Sequence, residues 1–438
     1  MYRQWIAAYK DRRGFRDLCL LGRIELGRES SPERARPRLP SILYNEVQGA
    51  KELHRMKEPG LSFARGYRRF VWTGLFLLLP FSLNAQNGPG STQGPLRVAI
   101  VGLVHDHVAG FLAQLPQHHD VELVGIAEPD PALQAKYQKK YGLADNLFFK
   151  DPAKMIEQRR PQALLAYTTI ADHRRVVEIG AYYGVSVMVE KPLTISLEDA
   201  LAIRKIAREK KIHVLVNYET TWYPSNKAAY DEVRDRKLGD VRRVVVHDGH
   251  QGPKEIGVSP EFLKWLTDPQ QNGAGALYDF GCYGVDLMTW LMQGETPETV
   301  TAVVNQDKPE IYPKVDDDST IVLKYRRAQA VIQGSWNWPF SRKDMEVYGA
   351  TGYAITVAAD HMRVRHEHDN EEQMTTPAPL REQESNSLSY LAAVLRGQIR
   401  DQGDLSALDT NVTVMQILDA ARESARTGRS VHLSPIGQ

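Results

Sequence analysis

Between Leu96 and Asn217, short apolar runs alternate with amphipathic stretches. RVAIVG, VELVGIA, ALLAYT, VSVMVE and HVLVNY are apolar on successive positions, as strands buried on both faces must be. The stretches 107–116, 131–140, 171–183 and 196–210 between them carry apolar residues at helical spacing. This alternation predicts a doubly wound parallel α/β sheet, in which ligands collect at the carboxyl ends of the strands. After Thr220 the texture changes. VRRVVVHDG, PETVTAVVNQ, STIVLKYRR, AQAVIQGSWNW, DMEVYGATG and YAITVAA read as consecutive strands joined by short turns. Such a run predicts an α+β region with a large, mostly antiparallel sheet, open on one face. One long helix over about 276–293 precedes most of these strands, and helices over about 385–397 and 406–427 follow them.

The first 85 residues break the pattern. They hold 16 of the chain's 55 basic and 8 of its 54 acidic residues, so residues 86–438 carry a net charge of about −7. A mildly acidic body gives no electrostatic reason to expect nucleic acid as a partner. Arg65, Arg68 and Arg69 precede an apolar run over 70–83 and then Ala85, the layout of a signal peptide with cleavage after Ala85. A run of fourteen residues is short for a membrane span, so no stable span is expected after cleavage. Arg68-Arg69 before Phe70 resembles a twin-arginine signal, which would carry the folded protein to the periplasm. Residues 86–95 read as a polar linker. Cys282 is then the single cysteine of the exported part, so no internal disulfide is expected.

Candidate chemistry begins in LRVAIVGLVHDHVAGF. Gly102 ends an apolar strand before a helix, the arrangement that points a positive helix end at a phosphate. Val104 stands where a second glycine would let the backbone approach a diphosphate, and His105, Asp106 and His107 follow. The next strand ends in Glu128, 26 residues after Gly102. A carboxylate there accepts from both hydroxyls of an adenosine ribose and repels a 2′-phosphate, which favours NAD over NADP. The alternatives at this point are a structural strand–helix turn or a metal site at the histidines. No second ligand cluster faces them in the sequence, and no metal is expected.

VMVEKPL delivers Glu190 and Lys191 at the same sheet edge, where a partly desolvated lysine orients a substrate hydroxyl. In NGAGALYDFGCYGVDLMTWLM, Asp279, Tyr283 and Asp286 are spaced by four and three on one helical face. A carboxylate and a phenol thus meet at a helix start, suited to holding a hydroxyl and moving its proton. Trp222 and Tyr223 offer aromatic faces for a sugar ring. The 249–265 stretch is a candidate loop over the pocket, and SWNWPF is expected in the sheet and at an inter-subunit surface.

Taken together, AIVG with the following histidines, Glu128, Thr168 to His173 (TTIADH), EKP and the Gly-rich run through Tyr283 resemble the Gfo/Idh/MocA oxidoreductases, over about 96–435. The resemblance implies a Rossmann-type dinucleotide-binding domain at 96–218 and a substrate-binding and oligomerisation domain at 219–438. It implies NAD contacts from Gly102, Val104, His105, His107, Glu128, Thr168, Thr169, His173, Glu190 and Lys191. Lys191, Asp279 and Tyr283 are the implied catalytic group, and with Trp222 and Tyr223 the implied substrate site. His107 would stand in for the backbone approach that a second glycine provides. The implied activity is hydride transfer between NAD and a sugar or polyol hydroxyl, in a homodimer or homotetramer built through the open sheet. Because free NAD is scarce outside the cytoplasm, a tightly held and recycled cofactor is expected. Alternatives are an NAD-dependent glycoside hydrolase or epimerase working through transient oxidation, and a non-catalytic sugar-binding protein.

Overall fold

The structure is a computed structural model and describes residues 94–437. The leader expected at 1–85, with its apolar run over 70–83, lies outside the described residues, as does nearly all of the linker.

Six parallel strands form the first sheet: β1 (Leu96–Val101), β2 (Val121–Ala127), β3 (Phe148–Phe149), β4 (Ala163–Ala166), β5 (Ser186–Glu190) and β6 (Val214–Asn217). Their order is β3-β2-β1-β4-β5-β6, so the chain reverses direction across the sheet between β1 and β4. That switch opens the crevice where such sheets bind ligands. Helices α1 (His107–Gln114), α2 (Pro131–Tyr141), α3 (Pro152–Arg159), α4 (His173–Tyr183) and α5 (Leu197–Lys210) connect the strands. Their limits follow local chemistry. Asp130 accepts from Ala132 N–H and Pro131 opens α2, while Gly142 ends it at φ 64°. Ser196 caps α5 by accepting from Asp199 N–H.

The second half holds α6 (Pro224–Arg234), β7 (Val241–Gly249), the short helices α7 (Pro260–Leu266), α8 (Pro269–Asn272) and α9 (Ala276–Asp279), and then α10 (Gly281–Leu291). The strands that follow are β8 (Thr299–Asn305), β9 (Asp318–Lys324), β10 (Gln329–Ser335), β11 (Arg342–Gly349), β12 (Gly352–Ala358), β13 (His361–His366) and β14 (Gln373–Thr375). After α11 (Ser387–Leu395) and α12 (Leu408–Thr427), β15 (Val431–His432) completes a nine-stranded sheet of order β14-β13-β12-β11-β7-β10-β9-β8-β15. All its pairs are antiparallel except β7 with β10.

The pattern along the chain missed β3, α3, β13, β14 and β15: Arg363 and Arg365 interrupt the apolar residues of β13, α3 is a short helix of eight residues, and the three other strands are only two or three residues long. The second difference matters more. The single helix expected at 276–293 is two, α9 and α10, broken at Phe280. Tyr283 N–H turns to the Phe280 carbonyl instead of that of Asp279, which frees the Asp279 carbonyl for a side-chain donor. Close packing drives the break. Gly275 and Leu277 donate their N–H groups to the Asp316 carboxylate, and a Cβ on Gly284 would sit 2.4 Å from Ile332 Cγ2 on β10. The helix pair is thus pressed onto the second sheet, and Asp279 and Tyr283 are buried against the carboxyl edge of the first. Helix α11 returns to pack Leu388, Leu391 and Val394 into the apolar cluster formed by β1 and its neighbours.

Candidate active site

Gly102 sits at φ 82°, where an added Cβ would lie 2.7 Å from Thr168 Cγ2 and 2.9 Å from the Tyr167 carbonyl oxygen. Only glycine allows the ends of β1 and β4 to meet this closely. Gly102 N–H donates to the Ala127 carbonyl at 2.8 Å and His105 N–H to Tyr167 at 3.2 Å, so the loop is laced to both neighbouring strands. No described residue accepts from the N–H groups of Val104 or Asp106. A cradle without room for a side chain, beside unclaimed backbone donors at a helix start, fits the diphosphate of a dinucleotide.

Glu128 reaches this loop differently from the expectation. It is buried, and its two oxygens accept from Leu103 N–H at 2.8 Å and Asp130 N–H at 2.9 Å. Burial raises its pKa, against the pull of those two donors. The carboxylate first of all holds the glycine turn, which leaves only its remaining lone pairs for a ribose. Thr168 and Thr169 also serve local structure: Thr168 Oγ1 donates to the Thr169 carbonyl and Thr169 Oγ1 to Asp172.

His105 is buried, and desolvation followed by the charge of His107 pushes its pKa well below the usual histidine value. Its Nδ1 accepts from His107 N–H at 3.3 Å, so the proton of this neutral ring lies on Nε2. His107 Nδ1 meets Glu190 Oε2 at 2.8 Å, while Asn217 donates to Glu190 Oε1 at 2.9 Å. Donor atoms of His105, His107 and Glu190 lie within 4.8 Å of one another. The tautomer of His105 and the His107–Glu190 bond commit these groups to each other. His173, at the start of α4, is fully buried with Nδ1–H donated to the Leu193 carbonyl at 3.1 Å. Its Nε2 has no partner among the described residues, and burial lowers its pKa to about 4.

Directly after Glu190, Lys191 Nζ donates to the freed Asp279 carbonyl at 2.9 Å and to Asp279 Oδ1. Trp336 Nε1–H donates to Asp279 Oδ2 at 2.9 Å. Burial is the largest single influence on each and would neutralise both partners. The charge and hydrogen bond of Asp279, together with Cys282, outweigh it and raise Lys191; the charge and hydrogen bond of Lys191, together with His250 and Trp336, outweigh it and lower Asp279. The pair is therefore ionised. Tyr283 is 2% exposed, and Lys191 Nζ and Lys343 Nζ stand 5.0 and 4.6 Å from its ring centroid. Burial drives the phenol pKa well above its usual value. Thus the structure brings Lys191, Asp279 and Tyr283 together, beside Glu190 and the glycine loop.

Trp222 and Tyr223 border the site through one intermediate side chain each, Asn217 beside Glu190 and Glu219 beside Lys343. Trp222 packs on Tyr390 with ring centroids 5.6 Å apart and donates Nε1–H to Asn217 at 3.1 Å, and Tyr223 donates its hydroxyl to Glu219 at 2.6 Å. Asp286, three residues after Tyr283 on α10, is fully buried and neither of its oxygens has a partner among the described residues. Trp336, expected with its neighbours at an inter-subunit surface, is instead fully buried beneath Asp279. The sequence reading also missed Lys343, whose ammonium pairs with Glu219 and holds that carboxyl down at about 2 against the effect of burial. Asp248, directly across the β7–β11 ladder from Lys343, is buried with Oδ1 lacking a partner among the described residues, and burial raises its pKa well above normal. Nearby His250 is lowered to about 4 by desolvation. The available signal was position: these residues end β7 or begin β11, at the edge facing α10.

A crevice at the switch point of a parallel sheet, a glycine cradle, and a buried lysine–carboxylate–phenol group define a dinucleotide-dependent oxidoreductase site. Comparison with known proteins agrees. Residues 96–218 match the family model described as "Oxidoreductase family, NAD-binding Rossmann fold", and residues 227–355 match "GFO/IDH/MocA C-terminal domain". Together they cover more than half of the chain, which belongs to the GFO/IDH/MocA oxidoreductase family, with NAD as its cofactor. A trans-1,2-dihydrobenzene-1,2-diol dehydrogenase of Xenopus tropicalis is 28% identical over 169 residues, 37% of this chain and 46% of that protein. The D-apiose dehydrogenase of Paraburkholderia graminis is 23% identical over 72% of this chain and 84% of its own. The chain spans about half the length of the first curated relatives it matches. Among solved structures, an aldose-aldose oxidoreductase from Caulobacter crescentus complexed with glycerol superposes with a TM-score of 0.67 at 23% identity, over 77% of this chain and 100% of that one. An inositol dehydrogenase homolog from Azotobacter vinelandii, complexed with NAD+, gives 0.68 at 20% identity, over 78% and 98%. At these identities the structures establish the fold.

Proposed function

We propose that the protein transfers hydride between NAD and a hydroxyl-bearing carbon of a sugar or polyol. The observation that carries this reading is the ionised Lys191–Asp279 pair beside the buried Tyr283, at the edge of the glycine cradle. Bound NAD would supply the hydride acceptor or donor. Asp279 fixes Lys191 through both its carboxylate and its carbonyl, so the ammonium is held in one place to orient a substrate oxygen. Tyr283, protonated at neutral pH, donates a proton when a carbonyl is reduced. In oxidation the proton retraces this path to a Tyr283 that has first given up its own proton, a cost set by its raised pKa and offset by the two flanking ammonium groups. His173 and Asp279 position the sugar ring. Named relatives and fold neighbours that act on an apiose, an aldose or a diol support this substrate class.

The leader points to an exported protein and hence to a held, recycled cofactor, NAD rather than NADP. Among the described residues no helix is long and apolar enough to cross a membrane. Val303, Val322, Val357 and Met374 are exposed on strands of the second sheet, which supports a homodimer or homotetramer through that face. The test is to denature the purified protein, identify the released nucleotide, and then follow products and NADH together on a panel of aldoses and polyols. Released NAD with product formation supports the reading, and product without NADH accumulation supports a closed cycle. Neither bound nor added NAD or NADP would overturn it in favour of sugar binding alone.

A further inference from the structure

The second half of the chain reaches the glycine loop through α7. Trp265 donates Nε1–H to the Val104 carbonyl at 3.1 Å, and Ser259 N–H donates to Asp106 Oδ2 at 2.7 Å. Between these two bonds the Phe262 and Trp265 rings stand 4.8 and 5.3 Å from the His105 ring. Glu261, on the outer side, pairs with Lys136 of α2 at 2.9 Å. The segment is itself well formed: Ser259 caps it by accepting from Phe262 N–H, Pro260 opens it, and Phe262 and Trp265 are buried.

We propose that Ser259–Leu266 is part of the dinucleotide site, a seal contributed by the second half of the chain that makes the cofactor a retained group. The proposal rests on the NAD-linked reading above. Three consecutive loop residues, Val104, His105 and Asp106, are gripped from outside, and they form the stretch between the glycine turn and α1 that must receive the diphosphate. The grip also answers two defects of this loop. Val104 lacks the freedom of a second glycine, and its carbonyl is fixed instead by the Trp265 indole. Asp106 places a carboxylate at the phosphate end of α1, where negative charge opposes the ligand; Ser259 N–H takes up that charge. With the segment seated, release of the cofactor requires the aromatic packing and both hydrogen bonds to open together. Dissociation is then slow without any further bond to the cofactor itself.

The experiment is NADH release, read by fluorescence when the loaded full-length protein is mixed with excess NAD+. Trp265→Phe keeps the ring and removes the donor to Val104; release is expected to accelerate about 2- to 10-fold, the worth of one hydrogen bond. Lys136→Glu and Glu261→Lys should each accelerate it up to about 3-fold, and the doubly swapped protein should return to the wild-type rate. Backbone amides of 258–266 should exchange more slowly once NADH is bound. Wild-type release rates in Trp265→Phe and in both charge variants, from a protein that does hold NADH, would overturn the seal and leave the cofactor reading standing. Failure of the wild-type protein to take up NADH at all would overturn both.

Discussion

The two sides of the crevice are built from different materials. On the dinucleotide side, polar side chains bond mainly to backbone: Glu128 to two N–H groups, Asp106 to Ser259 N–H, Thr168 to a carbonyl. On the substrate side, side chains bond to one another: Lys191 with Asp279 and Lys343 with Glu219 as ion pairs, and the neutral Trp336 indole with Asp279. A cradle made of backbone tolerates substitution wherever the main-chain path can be held by other means. The path here is held by Gly102, Glu128 and α7, and a valine at 104 is accommodated. A site made of buried, mutually compensating charges has no such freedom, because each group's ionisation depends on its partner.

The sharpest way to break the contrast is Tyr283→Phe. The ring is packed against Tyr218 and Phe280, so the fold should hold. Loss of the proton carrier should lower kcat by about 10²- to 10⁴-fold with little change in NADH binding. A turnover number within a few-fold of wild type would remove Tyr283 from the chemistry. Asp279→Asn comes next. It leaves the Lys191 ammonium buried without its carboxylate, and breaking such a pair costs about 3–5 kcal/mol of stability. The sign of the pH effect follows from the depressed Asp279 pKa. The pair's contribution is fully present above the unfolded aspartate pKa and is lost as pH falls through the lower folded value. Denaturant midpoints at neutral pH should drop for the variant, and its acid sensitivity in that low window should be blunted. An unchanged midpoint would mean that the two charges are not interdependent.

How much of this could be read from the chain differs between the same two sides. Five strands of the first sheet were legible because buried strands are apolar on successive positions, whereas the two-residue β3 and the short α3 after it were not read. Gly102, Glu128 and Lys191 directly follow the carboxyl ends of β1, β2 and β5, the edge where such sheets gather ligands, and Asp279 and Tyr283 meet Lys191 there. The floor of the site was not legible. Asp248, Trp336 and Lys343 come from three strands, and only the register of β7 with β10 and β11 brings them under α10. Nor does local pattern reveal the helix break at Phe280, since Asp316, 36 residues further on by the sequence numbering, helps to impose it. The packing of Trp222 was not legible for a related reason: its ring partner Tyr390 lies on a helix that returns from the far end of the chain.

His173 stands at the join of the two sides and gives a prediction of about 3 kcal/mol. It is fully buried with a pKa of about 4, whereas an unfolded histidine titrates near 6.5. Between those values the unfolded chain binds a proton that the folded chain refuses, so this group makes stability rise with pH across that window. Falling from above pH 6.5 to pH 4, the folded protein should lose about 3 kcal/mol on this account, at about 1.4 kcal/mol per pH unit. His173→Asn retains a donor for the Leu193 carbonyl and cannot be protonated. Its stability difference between about pH 7.5 and about pH 5 should be smaller than that of wild type. An equal difference would assign the acid sensitivity to other groups.

The smallest effect expected, and the one that tests the backbone cradle most directly, belongs to Glu128→Gln. An amide keeps one acceptor oxygen, so one of the two N–H groups now held, of Leu103 or Asp130, loses its carboxylate partner. Hydrogen bonds to a charged group contribute about 1.5–3 kcal/mol each, and an amide acceptor recovers part of that, leaving a loss of about 1 kcal/mol. If Glu128 serves the turn first, that loss appears as lowered stability of the protein without cofactor, and NAD affinity falls only as the loop loosens. A ribose-binding role alone predicts the reverse: unchanged stability without cofactor, a weakened grip on NAD and a gain in NADP binding as the negative charge leaves. Thermal unfolding without nucleotide, alongside calorimetric binding of both dinucleotides, separates these outcomes. Lowered stability together with weaker NAD binding would mean that this carboxylate shapes the cradle and also reads the ribose lying in it.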